Sequence, residues 1–519
     1  MIRASILMFL CAAAGCSALH TDDGAFETAD LGLAGPSFGG DLGAVNNGSF
    51  GNVGTGGGQD FAAFRDALAH NLIPGPTTLD SGGFFAEHYT SLPAPTCSDT
   101  FCLHALLSVA PDLVLDGVRT LVQLGMNSSI DPDTVQKPPL DMVVVLDTSG
   151  SMADAGKIDF AKSGLLLLVD QLADTDRLTL ITFSDSVHTL FGPATVGGQR
   201  DALKAQINAI VAGGSTDIYD ALKAGYLAAL AGSVETEQRR LLFLTDGLPT
   251  AGDTATADIL SMSESYNEQY VGLTSIGLGT DVDADLLRKL AEQGGGNFYF
   301  IEDPSAVMEV FTEELKFFVA PIAYDVELDL AGAPGFTVGD VFGTNLYTPN
   351  ATGGQIKVPA VFLVSRQSSA LDATGGRRGG GAAILADMQV LSPGTAGPNT
   401  IASVSLSFRA PGETMRRVQT ATVSYDGAAG VVPADAPDGY FSDSASIGKN
   451  TVMLAFYRAF RGAVDKAAAG DRMGALQLLQ DFRPRAAARL VVYTDPDLAD
   501  DLSLVDQFIM VLQSALGAH

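Results

Sequence analysis

The rhythm of apolar and polar positions changes several times along this chain. Between residues 141 and 317, short unbroken apolar runs alternate with stretches whose apolar residues recur every three or four positions. The first pattern marks strands buried on both faces, and the second marks amphipathic helices. Strands are expected at 141–147, 177–183, 187–191, 240–246, 271–277 and 297–301, and helices at 156–173, 199–212, 217–231, 255–269, 283–293 and 304–317. Strict strand–helix alternation predicts an α/β domain over 138–319 built on a doubly wound, mostly parallel sheet. Gly294-Gly-Gly296 suits a left-handed end to the fifth helix.

Beyond Pro321 the period shortens to two, with Gly, Pro and Asn between runs such as 323–328, 355–358 and 403–408. This predicts a β-sandwich-like domain over 320–445. Gly375-Gly-Arg-Arg-Gly-Gly-Gly381 lacks the Gly-Lys-Ser/Thr ending of a phosphate loop and is read as a hairpin turn. From residue 446 to 519 the helical period returns, with Leu454, Tyr457, Phe460 and Val464 on one stripe. Two or three packed helices fit this C-terminal domain. Upstream, 60–137 offers a short helix (Phe61, Phe64, Leu68) and strand-like runs at 105–110 and 119–124, expected to pack with the β region. Residues 16–59, rich in Gly, Asn, Ser and Asp, read as a flexible tether.

The N-terminus sets an expectation about compartment. Met1-Ile-Arg3 is a short positive region, and Ile6–Ala14 is an apolar stretch too short to cross a bilayer. Ala13-Ala-Gly-Cys16 resembles the cleavage box of bacterial lipoproteins, with alanine where leucine is usual. The resemblance implies a signal peptide over 1–15, a lipid on Cys16, and attachment at the outer membrane or cell surface. An ordinary cleaved signal is the alternative. Cys97 and Cys102, the cysteines left beyond this segment, are expected to pair in an oxidising envelope.

With 60 acidic against 30 basic residues, the net charge is −30. Such a surface repels nucleic-acid phosphates and disfavours docking on anionic lipid heads, while it concentrates divalent cations.

Three stretches carry chemistry. Asp147-Thr-Ser-Gly-Ser151 follows the first buried strand and places a carboxylate and two hydroxyls on one tight loop. Open α/β sheets bind ligands at the carboxyl ends of strands, and hard oxygens suit Mg²⁺ or a similar ion. Gly213-Gly-Ser-Thr216-Asp217 delivers another hydroxyl before a helix, and the run 240–246 ends in a second carboxylate, Asp246. Taken alone, the first loop also fits an ordinary helix cap. Together, Asp147, Ser149, Ser151, Thr216 and Asp246 resemble the metal-ion-dependent adhesion site of the von Willebrand factor type A domain family, which reads Asp-x-Ser-x-Ser, then Thr, then Asp. The resemblance implies a Mg²⁺ ion (or Ca²⁺ or Mn²⁺) held by hydroxyls, with an open position for a carboxylate of a protein partner. It implies binding, in adhesion or envelope assembly, without an enzymatic reaction.

Asp281, Asp283 and Asp285 with Glu292 have the spacing of a calcium-binding loop, but Leu286 stands where glycine is required, so these aspartates are expected to cap a helix. Asp154 is read as a solvated turn residue. The six histidines show no metal-ligand spacing, and no Gly-x-Ser-x-Gly elbow is present. The loop of haloacid dehalogenases needs Asp-x-Asp, and here Ser149 takes the second place. A metal-dependent hydrolase or phosphatase, and a scaffold with a non-functional metal site, remain as alternatives.

Overall fold

The computed structural model describes residues 51–54, 57–58, 62–88, 90–130, 139–231, 238–279, 282–301, 311, 321–364 and 383–517. Residues 1–15, Cys16, most of the expected helix 304–317 and the Gly375–Gly381 turn lie outside them.

Seven strands form the α/β sheet, in spatial order Gly57–Gly58, Gly295–Ile301, Val271–Leu278, Gln238–Thr245, Leu140–Asp147, Arg177–Phe183 and Val187–Thr195. All neighbours are parallel except the last pair. The central strand explains its own unbroken apolar run. Met142, Val144 and Leu146 point into one core with helix Lys157–Gln171, while Val143 and Val145 point into the other with helix Ile218–Ala231. The chain leaves this strand for Arg177–Phe183 on one side and later returns to Gln238–Thr245 on the other. The carboxyl ends of Leu140–Asp147 and Gln238–Thr245 therefore flank the point where strand order reverses, where such sheets open a crevice.

An eleven-stranded antiparallel sheet forms the second body. Its strands from 321 to 441 are joined by Cys102–Pro111 and Val118–Ser128, with Leu107 opposite Val122 and Gln123 opposite Leu385. The sheet folds over its own core, so that strand Arg416–Tyr425 comes back beside Cys102–Pro111. The Gln419 side chain links the two, accepting from Leu103 N–H at 2.9 Å and donating to Phe101 O at 2.8 Å. Cys97 and Cys102 form a disulfide at this seam.

Helices Lys449–Ala468, Arg472–Leu490 and Pro496–Gly517 form the C-terminal layer. Upstream helices Ala62–Ala69 and Ser81–Ala86 add to it, with the Phe64 ring 5.0 Å from Phe460 and 6.0 Å from Phe508. The upstream segment is thus divided, its strands in the β body and its helices on the C-terminal ones. Phe64, Phe84 and Phe85 need apolar cover, and the stripe of Tyr457 and Phe460 supplies it.

Beyond that division of the upstream segment, which the sequence had placed wholly with the β region, two further details differ from the sequence expectation. The last part of the expected tether supplies two short strands. Gly51–Gly54 pairs with Val118–Ser128 and with the strand Gly353–Val364, and Gly57–Gly58 extends the α/β sheet. Main-chain pairing needs no side-chain pattern, so a glycine-rich strand gives no periodic signal. Gly294 is not left-handed, whereas Gly295 is (φ +61°) and opens the next strand directly. Glu292 is buried at the end of its helix and accepts from Asn345 N–H at 2.6 Å and the Thr344 hydroxyl at 3.2 Å, joining the two bodies. Asp283 caps that helix through Leu286 N–H at 3.0 Å.

Candidate functional site

The site is assembled at the reversal point from three loops. Asp147, the last residue of its strand, is fully buried. One carboxylate oxygen accepts from Ser149 N–H at 2.7 Å and the other from the Thr245 hydroxyl at 2.6 Å. Burial still pushes this carboxyl up to about 6, against those hydrogen bonds and aided by the nearby Asp246 charge. No ion pair compensates Asp147 among the described residues.

Ser149 stands at the N-cap of the short turn Gly150–Gly156, yet its side chain makes no capping bond. Its hydroxyl lies 3.2 Å from that of Ser151, which donates to one oxygen of Asp246 at 2.9 Å. The capping role therefore does not account for Ser149. The other Asp246 oxygen accepts from Lys157 Nζ at 2.8 Å.

Thr216 arrives on the loop before helix Ile218–Ala231. Backbone bonds lock that loop to the first, Gly213 N–H to Thr148 O at 2.7 Å and Gly150 N–H to Gly214 O at 3.0 Å. Gly214 has φ +100°, a conformation that glycine adopts without the steric cost of a Cβ. Thr216 is buried, with its N–H held by the Thr250 hydroxyl at 3.0 Å. Gly247 leaves the centre open. A Cβ there would stand 3.6 Å from Thr216 Oγ1 and 4.0 Å from Ser151 Oγ, so both hydroxyls border the space that its missing side chain would fill.

All five residues expected from the sequence thus meet at one place. The donor set fits a hard divalent cation: neutral hydroxyls, two carboxylates, one of them buried without a counter-charge, and an open cradle at Gly247. Among the described residues, no three Cys, His, Asp or Glu side chains converge elsewhere or here, so the site offers no soft-metal cage. Asp154 is exposed and stands apart from these bonds.

Sequence reasoning missed two participants, Thr245 and Lys157. Lys157 shares a buried face with Ala161 and Leu165 at helical spacing, and a lone cation on an apolar stripe was the available signal. An open groove of about 490 Å³ adjoins the loop, lined by Thr148, His188, Leu190, Ile210, Val211 and Gly213 among others. Leu248, next to Gly247 in the chain, is exposed.

Residues 141–313 match the family model of the von Willebrand factor type A domain, and the chain carries such a domain. The uncharacterized protein YfbK of Escherichia coli (strain K12) is 26% identical over 219 residues, covering 42% of this chain and 38% of that protein. Inter-alpha-trypsin inhibitor heavy chain H4 of Bos taurus is 31% identical over 200 residues, 36% of this chain and 21% of that protein. The chain thus spans well under half the length of these curated relatives. Among solved structures, the von Willebrand factor type A protein from Catenulispora acidiphila superposes with a TM-score of 0.51 at 16% identity, covering 81% of this chain and 98% of that one. The shared fold reaches beyond the α/β domain. No helix among the described residues is long and apolar enough to cross a membrane.

Proposed function

We propose that this type A domain protein is a binding protein that engages an acidic group of a protein partner through a divalent cation, Mg²⁺ in the first instance. The observation that carries the reading is the convergence of the Ser149, Ser151 and Thr216 hydroxyls with Asp147 and Asp246 around the space at Gly247. Ser149, Ser151 and Thr216 would hold the ion. Being neutral, they leave it strongly electrophilic, and a partner carboxylate would complete its sphere. Asp147 keeps its loop in place through Ser149 N–H and Thr245, and Asp246 orients the Ser151 hydroxyl, both acting on the ligands more than as ligands. The neighbouring groove and the exposed Leu248 give a protein surface room and apolar contact beside that carboxylate.

The protein is proposed to act outside the cytoplasm, held by a lipid on Cys16 at the outer membrane or cell surface, and to bind without turnover. The test is the Mg²⁺-dependent rise in melting temperature, since an ion that binds the native state stabilises it by mass action. Asp147→Ala abolishes that rise; equal Mg²⁺ affinity of wild type and variant by calorimetry would sink the site assignment. Hydrolysis of a generic phosphate ester that disappears with Asp147→Ala would replace binding by catalysis. Crosslinked capture from cell envelopes, with Mg²⁺ against chelator, identifies the partner.

A further inference from the structure

Lys157 has no place in the ligand set, yet the fold goes to some length to bring it there. Its ammonium is mostly buried and donates to one oxygen of Asp246 at 2.8 Å. Just before it, Ala155 and Gly156 are both left-handed, with φ 51° and 75°. Alanine adopts that conformation at a steric cost, because its Cβ crowds the following carbonyl oxygen. This double turn ends the loop and starts the helix at Lys157, on the face that looks into the sheet. On the far side Gly279 leaves room for the lysine stem. A Cβ there would stand 2.7 Å from Lys157 Cε.

We infer that Lys157 is a specificity-determining residue of the cation site, occupying one oxygen of Asp246 and keeping the loaded site net positive, so that the metal is held more loosely and an anionic ligand more firmly. The inference rests on the cation reading above. Asp147 and Asp246 would just neutralise a divalent ion; the ammonium leaves the loaded cluster with one positive charge. In a chain of net charge −30, a neutral site would do little to draw a carboxylate. With Lys157 the two affinities are traded against each other. A lysine that only neutralised a buried aspartate would, on removal, weaken both.

The test uses the full chain with Lys157→Gln, which keeps a hydrogen-bond donor without the charge, and Lys157→Met, which keeps only the stem. Mn²⁺ binding is measured by calorimetry, and binding of ¹³C-acetate to the Mn²⁺-loaded protein by paramagnetic relaxation. Both variants are expected to bind Mn²⁺ about tenfold more tightly and acetate about tenfold more weakly than wild type, in line with an interior charge a few ångströms away. Unchanged or weaker Mn²⁺ binding by a folded Lys157→Gln protein overturns the inference, as does its failure to fold, which would assign Lys157 to stability alone. Wild type that binds no Mn²⁺ overturns the cation reading itself, a separate result.

Discussion

Replacing Asp147 by asparagine should stabilise the cation-free protein. The carboxyl stands at about 6 in the fold against an ordinary 3.8, and at roughly 1.4 kcal/mol per pH unit that difference is worth about 3 kcal/mol. Because the folded value is the higher one, the native state holds its proton more tightly than the unfolded chain. The penalty is therefore absent below pH 3.8, grows between pH 3.8 and about 6, and is complete above. Asparagine never ionises. Its oxygen can still accept from Ser149 N–H, and the Thr245 hydroxyl must turn to accept from the new amide, a rearrangement costing about 1 kcal/mol. The net gain at pH 8 in chelator is about 2 kcal/mol. With several cores, the chain need not unfold in one step, so the comparison belongs at the transition that moves with Mg²⁺. Urea denaturation followed by circular dichroism suits a protein without tryptophan. Saturating Mg²⁺ reverses the order, since wild type gains about 2.7 kcal/mol at a hundred times the dissociation constant and the variant gains nothing. A variant no more stable than wild type in chelator at pH 8, or an advantage that persists undiminished at pH 4, would refute the buried, uncompensated carboxylate.

Thr216→Val removes a hydroxyl while keeping shape and the backbone bond to Thr250, and Mg²⁺ affinity by calorimetry should fall about tenfold or more with the melting temperature in chelator nearly unchanged. Glu292→Ala takes away the acceptor of Asn345 N–H and Thr344, costing about 1–3 kcal/mol. Scanning calorimetry should show the α/β transition separating from the β body, with Glu292→Gln close to wild type. Cys16→Ser should release the protein from the membrane fraction, and unchanged fractionation would remove the lipid anchor from the account.

The α/β layers were legible because each strand and helix has its own period. The central strand is apolar at every inner position because both faces are covered, and that double cover is what an unbroken run encodes. The five site residues were legible because each follows a strand or opens a helix, where local sequence and position in space coincide. Lys157 was not, since its meaning depends on Asp246, 89 residues away. Glu292 was hidden for the same reason. Its place in the sequence suggests only the last position of a calcium loop that Leu286 excludes, and Thr344 and Asn345 make it a buried acceptor. The split of the upstream segment rests on long-range cover for Phe64 and Phe84, which no local pattern specifies.

The glycine strands at 51–58 have a mechanical consequence. Chain preceding Gly51 enters the fold through Gly51–Gly54, which is hydrogen-bonded on both sides within the β body, and after two intervening residues Gly57–Gly58 is bonded to the edge of the α/β sheet. A pull on the N-terminal chain against a partner held at the cation site would load this short segment before any helix or hydrophobic core. Its hold comes from main-chain bonds, several of which share the strain at once when tension runs along a strand. The segment with the least side-chain chemistry would then be the first to bear traction.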